Sequence, residues 1–242
     1  MTINITVWNE FRHEQTNEAV IAVYPAGIHQ TIKAFLKKDE QFNVRTATLD
    51  QPDHGLTPDV LDSTDVLIWW GHAAHAEVRD DIVEKVCQRI RGGMGLIVLH
   101  SGHFSKVFKR ITGANCGLKW RDVGEKCRVW NVKPNHPIAA GVDECIELEH
   151  EEMYGEPFGI PDPDELVFMS WFKGGEVFRS GCVFNVERGK VFYFQPGHET
   201  YPIYHHEGIQ KIISNACKYV APTAEIIDTN VGNWIKVPLE EV

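Results

Sequence analysis

Short apolar runs that end abruptly in polar or ionisable residues recur along this chain. Ile3 to Trp8 alternates, is rich in β-branched residues, and gives way to the polar loop Asn9-Glu10-Phe11-Arg12-His13-Glu14. Asp65 to Trp70 ends in Gly71-His72-Ala73-Ala74-His75, and Leu96 to Leu99, without one polar side chain, ends in His100-Ser101-Gly102-His103. Runs of this length and character predict strands covered on both faces, as in a parallel sheet. Phe42 to Leu49 predicts one more. Between them the apolar period lengthens to that of a helix. Gly27 to Lys38 aligns Ile28, Ile32, Phe35 and Leu36, and about Ala76 to Arg91 aligns Val78, Ile82, Val83, Val86 and Ile90. Thr57-Pro58 is a cap followed by proline at the first helical position, so a short helix opens there. Gly92-Gly93 closes the helix before the Leu96 strand, and Ser101-Gly102-His103 turns the chain into a helix from Phe104 to about Ile111. Alternating strands and helices of this size predict an α/β fold, a doubly wound, mostly parallel sheet in three layers. In such sheets ligands sit beyond the carboxyl ends of the strands.

After Ile111 the pattern changes. From Gly113 to Gly175 the sequence is broken by Gly and Pro, with strand-like runs at Cys127 to Val132, Ile146 to Leu148 and Leu166 to Phe172 and no helical period. The expectation is a strand-and-loop insertion beside the sheet that reaches the site from the side. Gly181 to Val186 and Lys190 to Gln195 flank Glu187-Arg188-Gly189 and predict a hairpin, whose second strand ends in Pro196-Gly197-His198-Glu199. Glu207 to Val220 predicts a last helix that buries Ile209, Ile212, Ile213, Ala216 and Val220. The tail from Pro222 to Val242 has no clear period. There is no internal repeat, and residues 1–242 read as one domain.

Composition narrows the partners. The chain has 242 residues, 43% of them hydrophobic, and a formal net charge of -10. With no compact Lys/Arg run, the acidic balance argues against a nucleic-acid partner and suits a small neutral substrate. No apolar segment approaches the roughly 20 residues needed to span a bilayer, and a strand begins at once with no charged-then-apolar leader. Neither a membrane anchor nor export is expected; the cytoplasm is. The six cysteines form no C-x-x-C pair and several lie in apolar patterns, so reduced, buried thiols are expected.

The 12 histidines are the one compositional oddity. His72, His100 and His198 each follow a predicted strand, so three imidazoles can converge on one sheet edge. With an acid, Glu152 or Glu199, they make a site for a divalent metal with an open position for water or substrate. Zinc is the first expectation, with manganese or iron behind it. His75 lies one helical turn from His72 and either joins it or merely opens the helix; His103 packs or caps. His136 precedes a proline and is extended or in a turn. It is a candidate for binding substrate, beside Trp8 and Trp70, which end strands and can stack on a sugar ring. His205 and His206 read as a solvated helix start.

His100-Ser101-Gly102-His103 resembles the C-x-G-H nucleophile elbow of class I glutamine amidotransferases, and His198-Glu199 resembles the late H-x-E pair of that superfamily. The cysteine position holds His100, however, so the thiolate that amidotransfer requires is missing, and Ser101 fits the elbow poorly. The sequence more closely resembles the ThuA-like trehalose utilisation proteins of the same superfamily, through DVLIWWGHAAH (Asp65 to His75), GMGLIVLHSGH (Gly93 to His103), NHPI (Asn135 to Ile138), EEMYGEP (Glu151 to Pro157), GGEVFRSGC (Gly174 to Cys182) and GKVFYFQPGHETYP (Gly189 to Pro202). That resemblance implies a flavodoxin-type sheet, a role in trehalose or related disaccharide breakdown, a functional link to a sugar dehydrogenase, and so 3-keto-glycosides as substrates. It also marks His100, Glu152 with Tyr154, and Gly197-His198. The leading expectation is a metal-assisted hydrolase or isomerase of sugars, in which Glu152 or Glu199 serves as general base and Tyr154 donates to a developing oxyanion. The alternative is a non-catalytic sugar-binding or regulatory protein on a degenerate amidotransferase fold. The sequence leaves the assembly state open, a homo-oligomer included.

Overall fold

A computed structural model describes residues 2–227 and residue 240. Nine strands form a single sheet: β1 (Ile3–Asn9), β2 (Phe42–Thr48), β3 (Val66–Trp70), β4 (Gly95–Leu99), β5 (Lys119–Asn131), β6 (Cys145–Gly155), β7 (Glu165–Phe172), β8 (Val177–Val186) and β9 (Gly189–Phe194). Their order is β2-β1-β3-β4-β9-β8-β7-β5-β6, parallel from β2 through β9 and antiparallel from β9 to β6. The parallel part has the 2-1-3-4-5 order of flavodoxin-like sheets. Every residue of β3 and β4 is buried, which explains their unbroken apolar runs.

The helices are α1 (His13–Thr16), α2 (Glu18–Val23), α3 (Ile28–Leu36), α4 (Pro58–Asp62), α5 (Asp80–Gly92), α6 (Lys106–Thr112) and α7 (Glu207–Val220). On one side α3 and α7 pack on each other and on the sheet; α4, α5 and α6 form the other layer. The contact between α7 and β4 is close. A Cβ on Gly95 would lie 2.4 Å from the Val220 carbonyl oxygen. Thr57 caps α4 through its side chain, and Ser105 caps α6 by accepting from the Phe108 N–H at 3.1 Å. None of the helices is long and apolar enough to cross a membrane.

Three expectations change. The 113–175 segment does not lie beside the sheet; it continues the sheet. The β8–β9 hairpin reverses the chain, so every later neighbour pairs antiparallel. Strands β5 and β6 are also longer than their apolar runs, because much of β5 faces solvent and carries polar residues. Helix α5 starts at Asp80, after a 3-10 turn at His75–Glu77, since Val78 and Arg79 are extended. Its first turn then carries Asp80 and Asp81, where the helix dipole favours them. The predicted tail lies partly outside the described residues.

Candidate active site

The carboxyl ends of β1, β3, β4 and β9 deliver ionisable groups to one place. His100 leaves β4 with φ +49°, a left-handed conformation uncommon for a residue with a Cβ. That sharp turn stands its ring above the sheet edge. Nδ1 donates to the Gln195 carbonyl at the end of β9, 3.0 Å away, so Nε2 faces outward. Glu152 Oε2, from β6, lies 3.0 Å from that Nε2 as an ion pair, yet off the line of a hydrogen bond and with no other partner. Tyr154 stacks on His100, ring centroids 5.0 Å apart, with its hydroxyl 3.4 Å from Nε2. The His198 ring is 5.5 Å from that of His100. One donor atom each from His100, Glu152 and His198 fall within 4.8 Å of one another.

A second cluster adjoins the first. Glu199 Oε1 is 2.6 Å from His13 Nδ1 and 3.2 Å from His72 Nδ1. The His72 ring lies 6.2 Å from His100 and 5.9 Å from His198.

Backbone bonds to buried carboxylates hold these loops. Glu151, fully buried, accepts from the N–H groups of Glu152, Gly197 and His198 at 2.9, 2.8 and 3.2 Å. Glu10 accepts from Ala73 and Ala74 at 2.7 and 2.9 Å and fixes the loop of His72. A Cβ on Gly197 would sit 2.1 Å from the Tyr204 hydroxyl and 3.1 Å from His100 Cβ. Only glycine lets the β9 loop pass so close to His100.

Burial disfavours a charge on His100, but the Glu152 contact and the nearby carboxylates outweigh it and raise its pKa to about 9. Burial pushes Glu152 up, and the bond to His100 wins, so it stays ionised. For Glu199 burial is likewise overcome, by His13 and His72, and its carboxyl is held far below the usual range. Burial and the charge of His100 lower His198. Burial raises Tyr154 well above an ordinary phenol, which keeps it protonated and able to donate.

Of the sequence-predicted residues, His100, His198, Glu152 and Tyr154 therefore meet, and His72 lies beside them facing Glu199. A cavity of about 300 Å³ opens on the group, lined by His72, His103, Trp120, Glu152, Tyr154 and His198, among others. The expectation that Trp8 and Trp70 stack on substrate fails, since both are buried: Trp8 stacks on Trp69 at 3.9 Å, and Trp70 Nε1 donates to the Gly197 carbonyl. His136 is also corrected. It caps the turn at Pro137 and packs against Glu165 and Tyr219, none of which lines the cavity. Glu199 does not suit a general base, because its Oε1 is shared by two imidazoles and its ionised form is strongly favoured. His13 and Trp120 were missed. A lone His in a polar loop and one Trp among seven carried no signal, although Trp120 is 64% exposed at the cavity rim. Ser101 lines the cavity but donates to the Gly71 carbonyl, and all six cysteines are free thiols outside the cavity lining, so no cysteine thiol or serine hydroxyl is paired with a base there among the described residues.

These features define a mixed α/β protein of flavodoxin-type strand order, with a histidine–carboxylate cluster at the strand carboxyl ends. The chain belongs to the ThuA family, described as trehalose utilisation, which matches residues 4–220. Among solved structures it is similar to a ThuA-like protein from Parabacteroides merdae, at TM-score 0.68 and 12% identity over 93% of both chains. A ThuA-like protein from Bacteroides uniformis gives TM-score 0.64 and 13% identity over 90% of this chain and 91% of that one. A cytoplasmic protein from Salmonella typhimurium LT2 gives 0.60 and 11% over 90% and 100%. No curated protein matches.

Proposed function

We propose that this protein is a metal-assisted enzyme of carbohydrate utilisation that hydrolyses or isomerises a disaccharide or a 3-keto-glycoside derived from one. The observation that carries the reading is the buried Glu152 Oε2. It lacks a hydrogen-bond partner while it shares one small volume with a nitrogen of His100 and of His198. A buried carboxylate needs a positive partner; the His100 imidazolium supplies it in the metal-free chain, and a divalent cation that displaces that proton would supply it to all three groups. Glu152 here takes the ligand position first expected of His72. Two imidazoles and a carboxylate suit zinc best, then manganese or iron; when bound, such an ion polarises a sugar oxygen or activates water.

The residues supply the rest. The Gln195 carbonyl fixes the His100 ring so that Nε2 points into the site, and Thr200 Oγ1, 2.8 Å from His198 Nδ1, does the same for His198. Tyr154 offers its proton to a developing oxyanion. Trp120 and Phe104, both partly exposed at the cavity, present aromatic faces to the C–H side of a sugar ring. The cavity volume is at the lower end for small-molecule sites and suits one or two sugar units. The family's description, trehalose utilisation, and the formal net charge of -10 support a neutral carbohydrate as substrate. Free thiols fit a cytoplasmic setting.

The test is elemental analysis of the purified chain together with turnover of 3-keto-trehalose before and after chelation. Bound metal, lost with His100→Ala together with turnover, is the expected result. Full turnover by metal-free protein refutes the metal role. Sugar affinity with no turnover in the metal-loaded chain assigns the non-catalytic binding function instead.

A further inference from the structure

On the other side of Glu199, His13 Nδ1 and His72 Nδ1 both address Glu199 Oε1, at 2.6 and 3.2 Å, while standing only 3.4 Å from each other. Two N–H groups can share that carboxylate oxygen, and once both nitrogens are deprotonated the same three atoms can close on a cation. The rings meet edge to face, 79° apart with centroids 5.0 Å apart, so both nitrogens turn toward one point. Metal–donor bonds of about 2.0–2.2 Å in tetrahedral geometry place neighbouring donors about 3.3–3.5 Å apart. Two of the three spacings are already near that edge length, and the third has to open by less than about 1 Å.

An independent observation sits on the far oxygen. The Glu199 side chain is only 4% exposed, and its Oε2 has no hydrogen-bond partner; it lies 3.8 Å from His198 Nε2. The carboxylate thus turns one oxygen to His13 and His72 and the other to the His198 side. Among the described residues, no Lys or Arg side chain pairs with it.

We propose that His13, His72 and Glu199 hold a second divalent cation next to the His100–Glu152–His198 position, with Glu199 shared between the two. The side chains of His13 and His72 are 25% and 28% exposed, against 0% for His100. The second position is therefore the outer one, open to a substrate oxygen or water. Paired cations of this kind clamp both attacking and leaving oxygens in metal-dependent hydrolysis. The pairing rests on the metal reading proposed above; the ligands of the outer position do not.

The full chain, stripped with chelator and desalted after zinc loading, is expected to retain two equivalents. His13→Ala, His72→Ala and His100→Ala should each halve that, and His13→Ala with His100→Ala should abolish it, with circular dichroism confirming that each variant is folded. Manganese loading should give an exchange-coupled electron paramagnetic resonance spectrum in the native chain and an isolated six-line spectrum in His13→Ala. His13→Gln serves as the milder variant if alanine perturbs the loop. One equivalent, lost in His100→Ala and kept in His13→Ala, overturns the outer position and leaves the inner one. One equivalent, lost in His13→Ala and kept in His100→Ala, upholds the outer position and removes the inner one. No retained zinc overturns both.

Discussion

Outside the proposed ligands, buried His29 and His103 and half-buried His75 are held as neutral rings, and lowering the pH should destabilise the protein through them; buried His136, also lowered by burial, acts in the same direction. Burial, aided by Lys33, lowers His29 to about 4; burial lowers His75 to about 4 and His103 to about 3. An unfolded chain holds all three near the ordinary value of about 6.5. Their contribution to stability is present above that value and lost as the pH falls toward the folded values, because only the unfolded chain takes up the protons. At about pH 5.5 unfolding binds nearly one proton at each, about 2.7 in total. Glu151 opposes them: burial, net of His100 and three backbone bonds, raises it to about 7, so the folded chain binds about 0.9 proton more there. The net uptake is about two protons. At ~1.4 kcal/mol per proton per pH unit, stability should fall by about 2–3 kcal/mol between pH 6 and 5. Urea unfolding of the metal-free chain at half-unit pH steps measures that slope. His29→Asn keeps an acceptor for the Asn9 amide, which now lies 3.0 Å from His29 Nδ1, and removes one titrating ring. Its slope should be about 1.4 kcal/mol per pH unit shallower, whatever its absolute stability. A native slope under about 1 kcal/mol per pH unit, or no change in His29→Asn, refutes the assignment of neutral buried rings.

Gly197→Ala should lower stability by about 2 kcal/mol or more, since its Cβ would clash at 2.1 Å with the buried Tyr204 hydroxyl; thermal melting reads this, and displacement of His198 should also reduce bound zinc. Trp120→Ala removes an exposed ring, so the melting temperature should stay within the equivalent of about 0.5 kcal/mol, while sugar affinity by calorimetry falls about five- to tenfold. Unchanged affinity would remove Trp120 from the binding surface. Glu151→Gln sets an amide NH₂ against one of three buried N–H groups and should cost about 1–3 kcal/mol by urea unfolding; a neutral result would mean that the loop of His198 is held by other contacts.

The sequence exposed strand ends far better than it exposed neighbours. Leu96 to Leu99 and Val66 to Trp70 announced themselves because a doubly covered strand favours an unbroken apolar run, and whatever followed them had to emerge at the sheet's carboxyl edge. This is why His72, His100 and His198 could be placed together. The same reasoning misplaced Trp8 and Trp70: a residue at a strand's end can turn either into the crevice or under the helices, and alternation along the strand does not decide which. Strands β5 and β6 were legible only where apolar residues recur, at Cys127 to Val132 and Ile146 to Leu148, so Trp120 on the exposed part of β5 gave no sign of its position at the cavity. His13 was hidden for another reason. Its role depends on Glu199, 186 residues away, and no local pattern encodes a contact of that separation. Likewise Glu151 and Glu152 look alike in sequence, and only the direction of alternate β6 side chains separates a carboxylate that holds backbone from one that faces the cavity.

The turn at His100 ties the site to the sheet edge and limits the chemistry the site can carry. A left-handed residue with a Cβ costs about 1–2 kcal/mol, which glycine would relieve, yet the position carries imidazole. That strain persists because the turn projects the side chain over the carboxyl edge, where a fold built for covalent chemistry would set its nucleophile. A nucleophile there also needs an imidazole base oriented by a carboxylate. Here no such relay is assembled: Glu199 faces His13 and His72 through Oε1, and its Oε2 stands 3.8 Å from His198 Nε2, while the ring's other nitrogen meets Thr200. His100 and His198 are thus each anchored at Nδ1, while Nε2 of His100 faces Glu152 at 3.0 Å and Nε2 of His198 faces Asp122 and Glu199 at 3.8 Å, so neither imidazole is paired with a nucleophile. An imidazole at this turn and a Glu199 directed at His13 and His72 thus leave no relay for a covalent step, and suit the gathering of ligands that we propose.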